Sequence, residues 1–135
     1  MAISRRTFMA AGAATLASAT VMSTETNSPN AMSGQVVHNV YFWLKKPESL
    51  EDRDLLIAGL KTLSAIPAIK TLQIGLPANT EKRDVVDNSF NVFELMYFDS
   101  VEAQNEYQVH PLHTAFVENY GHLWERVVVH DSVLV

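Results

Sequence analysis

Three strand-length stretches of this chain are apolar on both of their faces, and that limits what the chain can fold into. Val36 to Leu44 (VVHNVYFWL) sets Val36, His38, Val40, Phe42 and Leu44 on one side and Val37, Asn39, Tyr41 and Trp43 on the other. Ser89 to Phe98 (SFNVFELMYF) sets Phe90, Val92, Met96 and Phe98 against Phe93, Leu95 and Tyr97. Trp124 to Val135 (WERVVVHDSVLV) sets Val127, Val129 and Val133 against Val128 and Leu134. Period two with β-branched and aromatic side chains is the pattern of strands. An antiparallel sheet with one face in water would be polar on that face. Both faces of this sheet therefore need cover. Helices supply it on one side, and a second copy of the same sheet on the other is the economical solution, which predicts a symmetric homodimer.

The remaining segments supply the helices and one more strand. Ser49-Leu50-Glu51-Asp52 has the form of a capping box, and Leu56, Leu60 and Leu63 repeat at helical spacing until Ile66-Pro67 closes the segment. Ile69 to Leu76 alternates as a strand, with Leu72, Ile74 and Leu76 on one side. Pro77 to Asn88 is polar and reads as a loop. Asp99-Ser100-Val101-Glu102 opens a second helix running to about Gln108. Pro111 suits the first turn of a further helical segment and Gly121 its end. The order β-α-β-β-α-β predicts an α+β fold, a four-stranded antiparallel sheet with both helices on one face.

Composition narrows the function. At 135 residues and 47% hydrophobic, the chain has enough for one packed domain. It carries no cysteine, which excludes disulfides, thiol catalysis and Cys-ligated zinc. With 15 acidic against 10 basic residues and no basic stripe, nucleic acid is not an expected partner.

The N-terminus reads as an address. Ser4-Arg5-Arg6-Thr7-Phe8-Met9 precedes a charge-free apolar run from Ala10 to Met22, and Ala17-Ser18-Ala19 has the A-x-A form of a cleavage site. The paired arginines followed by Phe8 resemble a twin-arginine export signal. Residues 1–22 are thus expected to be a signal peptide, 23–34 (from Ser23, polar) a linker and 35–135 the domain. Export is expected to be to the periplasm. The apolar run is too short for a stable membrane anchor. Cleavage near Thr20 removes two arginines, so Lys plus Arg falls from 10 to 8 against 15 acidic residues and net charge moves from -5 to -7.

Val37-His38-Asn39-Val40, Ile66-Pro67-Ala68-Ile69 leading to Gly75, Phe98-Asp99-Ser100, and Tyr107-Gln108-Val109-His110-Pro111-Leu112-His113-Thr114-Ala115-Phe116-Val117 together resemble the stress-responsive A/B barrel (Dabb) proteins. The resemblance runs from about Val36 to the end. It implies a ferredoxin-like protomer that pairs sheet to sheet into a dimeric α/β barrel. Most of that family has no assigned activity. One branch, the plant polyketide cyclases, catalyses an intramolecular aldol condensation. The resemblance to that branch implies His38 and His113 facing one cavity, with Tyr107 beside it. Its first-helix tyrosine has no counterpart here, where Leu56-Ile57-Ala58-Gly59-Leu60 runs instead.

The candidate catalytic residues are therefore His38, His113 and Tyr107. Two histidines with ordinary pKa near ~6.5, if neutral, suit general-base work near neutral pH. His110 precedes a proline, which biases it toward extended backbone and a structural role at the junction. Glu94 lies among apolar neighbours and is a further candidate, as a base or as the orienter of a buried histidine. A metal site on His110, His113 and Glu106 is disfavoured because Pro111 breaks the helix between the two rings. Nothing selects a haem ligand, and neither metal nor cofactor is expected. Two readings remain: an exported small-molecule-binding barrel whose histidines are structural, and a lyase, cyclase or isomerase acting on an apolar, polar-headed molecule through His38 and His113.

Overall fold

The computed structural model describes residues 31–135. The expected signal peptide and most of the expected linker lie outside the described residues. The elements run β1 (Val36–Leu44), α1 (Leu50–Lys61), a 3-10 turn (Thr62–Ala65), β2 (Thr71–Gly75), β3 (Val92–Phe98), α2 (Val101–Val109), α3 (Pro111–Tyr120), a second 3-10 turn (Gly121–Leu123) and β4 (Trp124–Val133). The strands form one antiparallel sheet in the order β2-β3-β1-β4. This is the expected ferredoxin-like α+β arrangement. The sheet of a single chain is open, with β2 and β4 at its edges.

α1 and α2 each begin where the sequence places a capping oxygen. Ser49 Oγ accepts from the Asp52 N–H and Ser100 Oγ from the Ala103 N–H, both at 3.1 Å, which satisfies donors that the first helical turn leaves unpaired. Acidic Glu51 and Asp52 sit in the first turn of α1 and Lys61 in its last, in favourable accord with the helix dipole. α2 stops at His110, whose backbone is extended (φ -65°, ψ 137°) as a residue before proline prefers. Pro111 then opens α3, where its missing N–H costs no intrahelical bond.

The core lies between the helices and the inner face of the sheet. Val36, Val40, Phe42 and Leu44 of β1 and Val92, Met96 and Phe98 of β3 meet Leu56 and Leu60 of α1, Tyr107 of α2 and Phe116 of α3. Gly59 permits the approach of α1 to α3, because a Cβ there would stand 2.7 Å from ring atoms of Tyr120.

Two details differ from the sequence reading. Phe90 is not on the inner face: its ring meets Tyr41 and Phe93, 5.1 and 6.5 Å between centroids, on the outer one. The regular ladder begins only at Val92, and just before it the Asn91 side chain stands in for backbone, accepting from the Leu44 N–H at 2.9 Å and donating to the Pro47 carbonyl at 3.1 Å. Alternation therefore does not carry back to Phe90. Secondly, the helices do not cover the whole inner face. Val127, Val129 and Val133 lie opposite Phe42, Val40 and Val36 in register, yet remain 44%, 45% and 55% exposed. The inner face of β4 is left open.

Candidate ligand site between the sheet and the paired helices

Because α2 and α3 stop short of β4, a cavity of about 520 Å³ opens between them and the strands. Val40 and Phe42 of β1, Phe116 and Val117 of α3, and Trp124, Val127 and Val129 of β4 form its apolar walls. His38, Glu94, Gln104, Tyr107, Gln108, His113 and Asp131 are its polar groups. A larger recess of about 770 Å³ lies within residues 79–88. Its walls are mostly exposed loop side chains and it holds no buried titratable group, so the chemistry is in the smaller cavity.

His38 is 3% exposed, on the inner face of β1. Its direct cross-strand neighbour is Asp131 of β4. The His38 Nδ1 and Asp131 Oδ1 atoms are 2.5 Å apart. A carboxylate only accepts, so Nδ1 carries a proton toward Asp131, and whenever the ring is neutral its lone pair is on Nε2. The Gln104 side-chain amide also lies 3.1 Å from Nδ1, and turning its oxygen toward the ring lets it share that proton.

His113 sits in the first turn of α3. Its Nδ1 donates to the Gln108 carbonyl at 3.1 Å. That carbonyl also only accepts, so the neutral ring again keeps its lone pair on Nε2. Burial lowers the pKa of His113; the Gln108 hydrogen bond opposes this and the charge of His38 adds to it. His113 is accordingly uncharged at neutral pH, as a base requires.

Tyr107 joins the two. Its ring centroid is 5.7 Å from that of His38 and 4.6 Å from that of His113. Burial first, and the neighbouring Glu94 second, push its hydroxyl pKa up, so it stays a neutral hydrogen-bond donor. The structure thus brings His38, Tyr107 and His113 to one cavity, with Tyr107 touching both histidines.

Glu94 completes the set. It sits mid-β3 between Val92 and Met96, is 1% exposed, and among the described residues its Oε1 has no hydrogen-bond partner. Burial pushes its pKa up to about 8, so it is largely protonated at pH 7. An unpartnered buried polar atom costs about 1–3 kcal/mol.

His110 takes the junction role. Its Nδ1 accepts from the Leu112 N–H at 3.1 Å, capping α3, and it does not line the cavity. Glu106 is exposed. Among the described residues no cluster of three metal-ligating side chains forms. Asp131 and Gln104 escaped the sequence reading. Asp131 left a signal: it is the one acid in the period-two series Val127, Val129, Asp131, Val133, as His38 is the one polar residue in Val36, His38, Val40, Phe42. Gln104 left none, because a glutamine on a helix surface is ordinary.

Several proteins share this architecture. A Mesorhizobium loti protein described as a Dabb family protein with a ferredoxin-like fold is 30% identical over 76% of this chain and 98% of that one, with a TM-score of 0.60. A dimeric Bacteroides fragilis protein of unknown function and ferredoxin-like fold is 21% identical, with 76% and 99% covered and a TM-score of 0.60. The hydroxynitrile lyase of Passiflora edulis is 23% identical, with 76% and 95% covered and a TM-score of 0.65. No curated protein matches the chain in sequence. Residues 36–134 match the stress responsive A/B barrel domain. That span includes every strand and helix described above, and the chain belongs to the stress responsive A/B barrel (Dabb) family.

Proposed function

We propose that this protein is a small-molecule-binding Dabb protein, exported and dimeric, whose ligand is a mainly apolar molecule with a polar head. The observation that carries this reading is the cavity itself: largely apolar walls around about 520 Å³, with His38, Tyr107, His113 and Glu94 converging on it. Concave, mostly apolar sites with a few placed polar groups are the usual form of small-molecule sites. The test is a titration of the ¹⁵N-labelled protein with small aromatic fragments. Shifts are expected at His38, Tyr107, His113 and Trp124. Shifts confined to the outer sheet face, or none at all, overturn the reading.

Dimerisation is supported by Tyr41, Phe93, Leu95 and Tyr97, which line the outer face and are only partly buried in the single chain, and by dimeric proteins of the same fold. Export rests on Arg5-Arg6 and Phe8. Replacing both arginines by lysine should block it; unchanged export in fractionated cells refutes the twin-arginine assignment.

A second reading has its own observation, the short His38–Asp131 contact. A buried histidine oriented by a carboxylate and lining a cavity is equipped to take a proton when its ring is neutral. Tyr107 would donate to the oxygen that gains charge. This supports a lyase or cyclase using His38 and His113. The fold is shared with a protein described as a hydroxynitrile lyase, so an aromatic hydroxynitrile is the first substrate to try. Release of its aldehyde should fall by a factor of about 10² in His38→Ala or His113→Ala, as for loss of a general base. Equal rates in wild type and both variants refute this second reading.

A further inference from the structure

Glu94 lines the cavity but neither reading above gives it a chemical role, and it is the most deeply buried polar side chain of the site. Its Cα neighbours across the sheet are Val40 on β1 and Ile74 on β2. Among the described residues, no group hydrogen-bonds its Oε1. The titratable groups sharing its cavity are His38 on β1, Tyr107 on α2, His113 on α3 and Asp131 on β4. The nearby core residues of α1 and β2 are Leu56, Leu60, Leu72 and Ile74, all apolar.

The hydrogen-bonding sense of these groups is unbalanced. Both histidines spend their Nδ1 proton elsewhere, His38 on Asp131 and His113 on the Gln108 carbonyl. The neutral His113 ring therefore offers an Nε2 lone pair, and His38 does so whenever its ring is neutral. Glu94 adds an oxygen without a donor. The lining includes two carboxyl groups, Glu94 and Asp131, and neither a lysine nor an arginine. Tyr107 and the Gln104 and Gln108 amides are donors of the lining. Once Glu94 is ionised, the site adds negative charge that no fixed cation relieves, which fits a head that donates several hydrogen bonds and carries positive charge.

We infer that the ligand is a primary amine on an apolar body, bound as its ammonium ion, with the Glu94 carboxylate as counter-ion and the histidine Nε2 atoms as further acceptors. The inference rests on the cavity being a ligand site. Glu94 is largely protonated in the free protein at pH 7, so binding an ammonium ion there releases the carboxyl proton to solvent. The charge of the cavity is then balanced by the ligand.

The probes are 2-naphthylmethylamine and 2-naphthylmethanol, which share an apolar body and differ in the head. They are titrated into the protein calorimetrically at pH 7, in two buffers of different ionisation enthalpy. The amine should bind tighter than the alcohol by a factor of about 10 or more, as a charge-assisted contact gives. It should also release up to about one proton, the buffer dependence reporting the number. In Glu94→Gln, an isosteric change, the preference and the proton release should both vanish while the alcohol still binds. The proton count in the wild type stands as evidence whether or not that variant folds. Alcohol binding equal to or tighter than amine binding, without proton release, overturns the amine assignment and leaves the cavity as a ligand site. Amine preference that survives in a folded Glu94→Gln overturns the role of Glu94. Failure of both probes to bind overturns this inference, and if the fragment titration also finds nothing, the binding reading falls with it.

Discussion

Glu94→Gln should change how stability depends on pH, in a direction that the structure sets. The ordinary pKa of the side chain is 4.5, and burial raises it to about 8 in the folded state. Between those values the folded protein holds a proton that the unfolded chain has released. Stability must then fall as pH rises. The contribution of Glu94 is fully present below pH 4.5, is lost progressively up to about pH 8, and is constant above it. At about 1.4 kcal/mol per pH unit, the whole difference amounts to roughly 5 kcal/mol. Between about pH 5 and pH 7, where each form is nearly in its limiting state, the loss is about 2–3 kcal/mol. Glutamine has nearly the same shape and does not titrate.

The measurement is urea unfolding of wild type and variant at several pH values, with the free-energy difference followed. His113 titrates in the opposite sense. Its lowered pKa makes it lose stability as pH falls through the range below its ordinary value. It is present in both proteins, so its contribution largely cancels in the difference. The variant should gain on the wild type by about 2–3 kcal/mol from pH 5 to pH 7. Parallel profiles, or a wild type that gains on the variant with rising pH, would show that Glu94 is already ionised in the folded protein and refute the argument.

Gly59→Ala should destabilise by about 1–2 kcal/mol in chemical unfolding, because the overpacking cost against Tyr120 exceeds the helix-propensity gain; a more stable variant would show that the α1–α3 contact gives way freely. His110→Ala should cost about 1 kcal/mol through loss of the Leu112 cap and leave fragment binding in the cavity unchanged. The domain should sediment as a dimer at micromolar concentration, since covering the outer sheet face buries well over ~1,000 Å²; a monomer at that concentration refutes the sheet-to-sheet pairing.

Much of the architecture was legible because the strands alternate cleanly. In β1 the inner series Val36, His38, Val40, Phe42 and Leu44 is buried as its period indicates, and the caps at Ser49 and Ser100 lie where the residue types place them. The reading failed where a side chain replaced backbone pairing. Asn91 interrupts the ladder, and Phe90 beyond it turns to the opposite face. It also failed where cover depends on helix placement. Nothing in WERVVVHDSVLV reveals that α2 and α3 leave β4 bare, so that Val127 and Val129 become cavity walls and not core. At the site, the sequence brought forward His38, Tyr107, His113 and Glu94 as residue types in suggestive positions. The His38–Asp131 contact required the register of β1 against β4, which depends on pairing between segments 93 residues apart.

The break at Pro111 explains how Tyr107 and His113 come to share a cavity. In one continuous helix, residues six apart point about 120° away from each other. Tyr107 and His113 would then not face the same space. His110 and His113, three apart, would share a face and resemble a metal pair. Ending α2 at Val109 and restarting at Pro111 reverses both outcomes. The extended backbone of His110 re-aims the chain, and its ring turns back to the Leu112 N–H as a cap. His113 then falls in the first turn of α3, anchored on the Gln108 carbonyl that the end of α2 leaves free. Its ring comes within 4.6 Å of that of Tyr107, centroid to centroid. In His-Pro-x-His the proline separates the two histidines in place: one holds the junction, and the other lines the cavity.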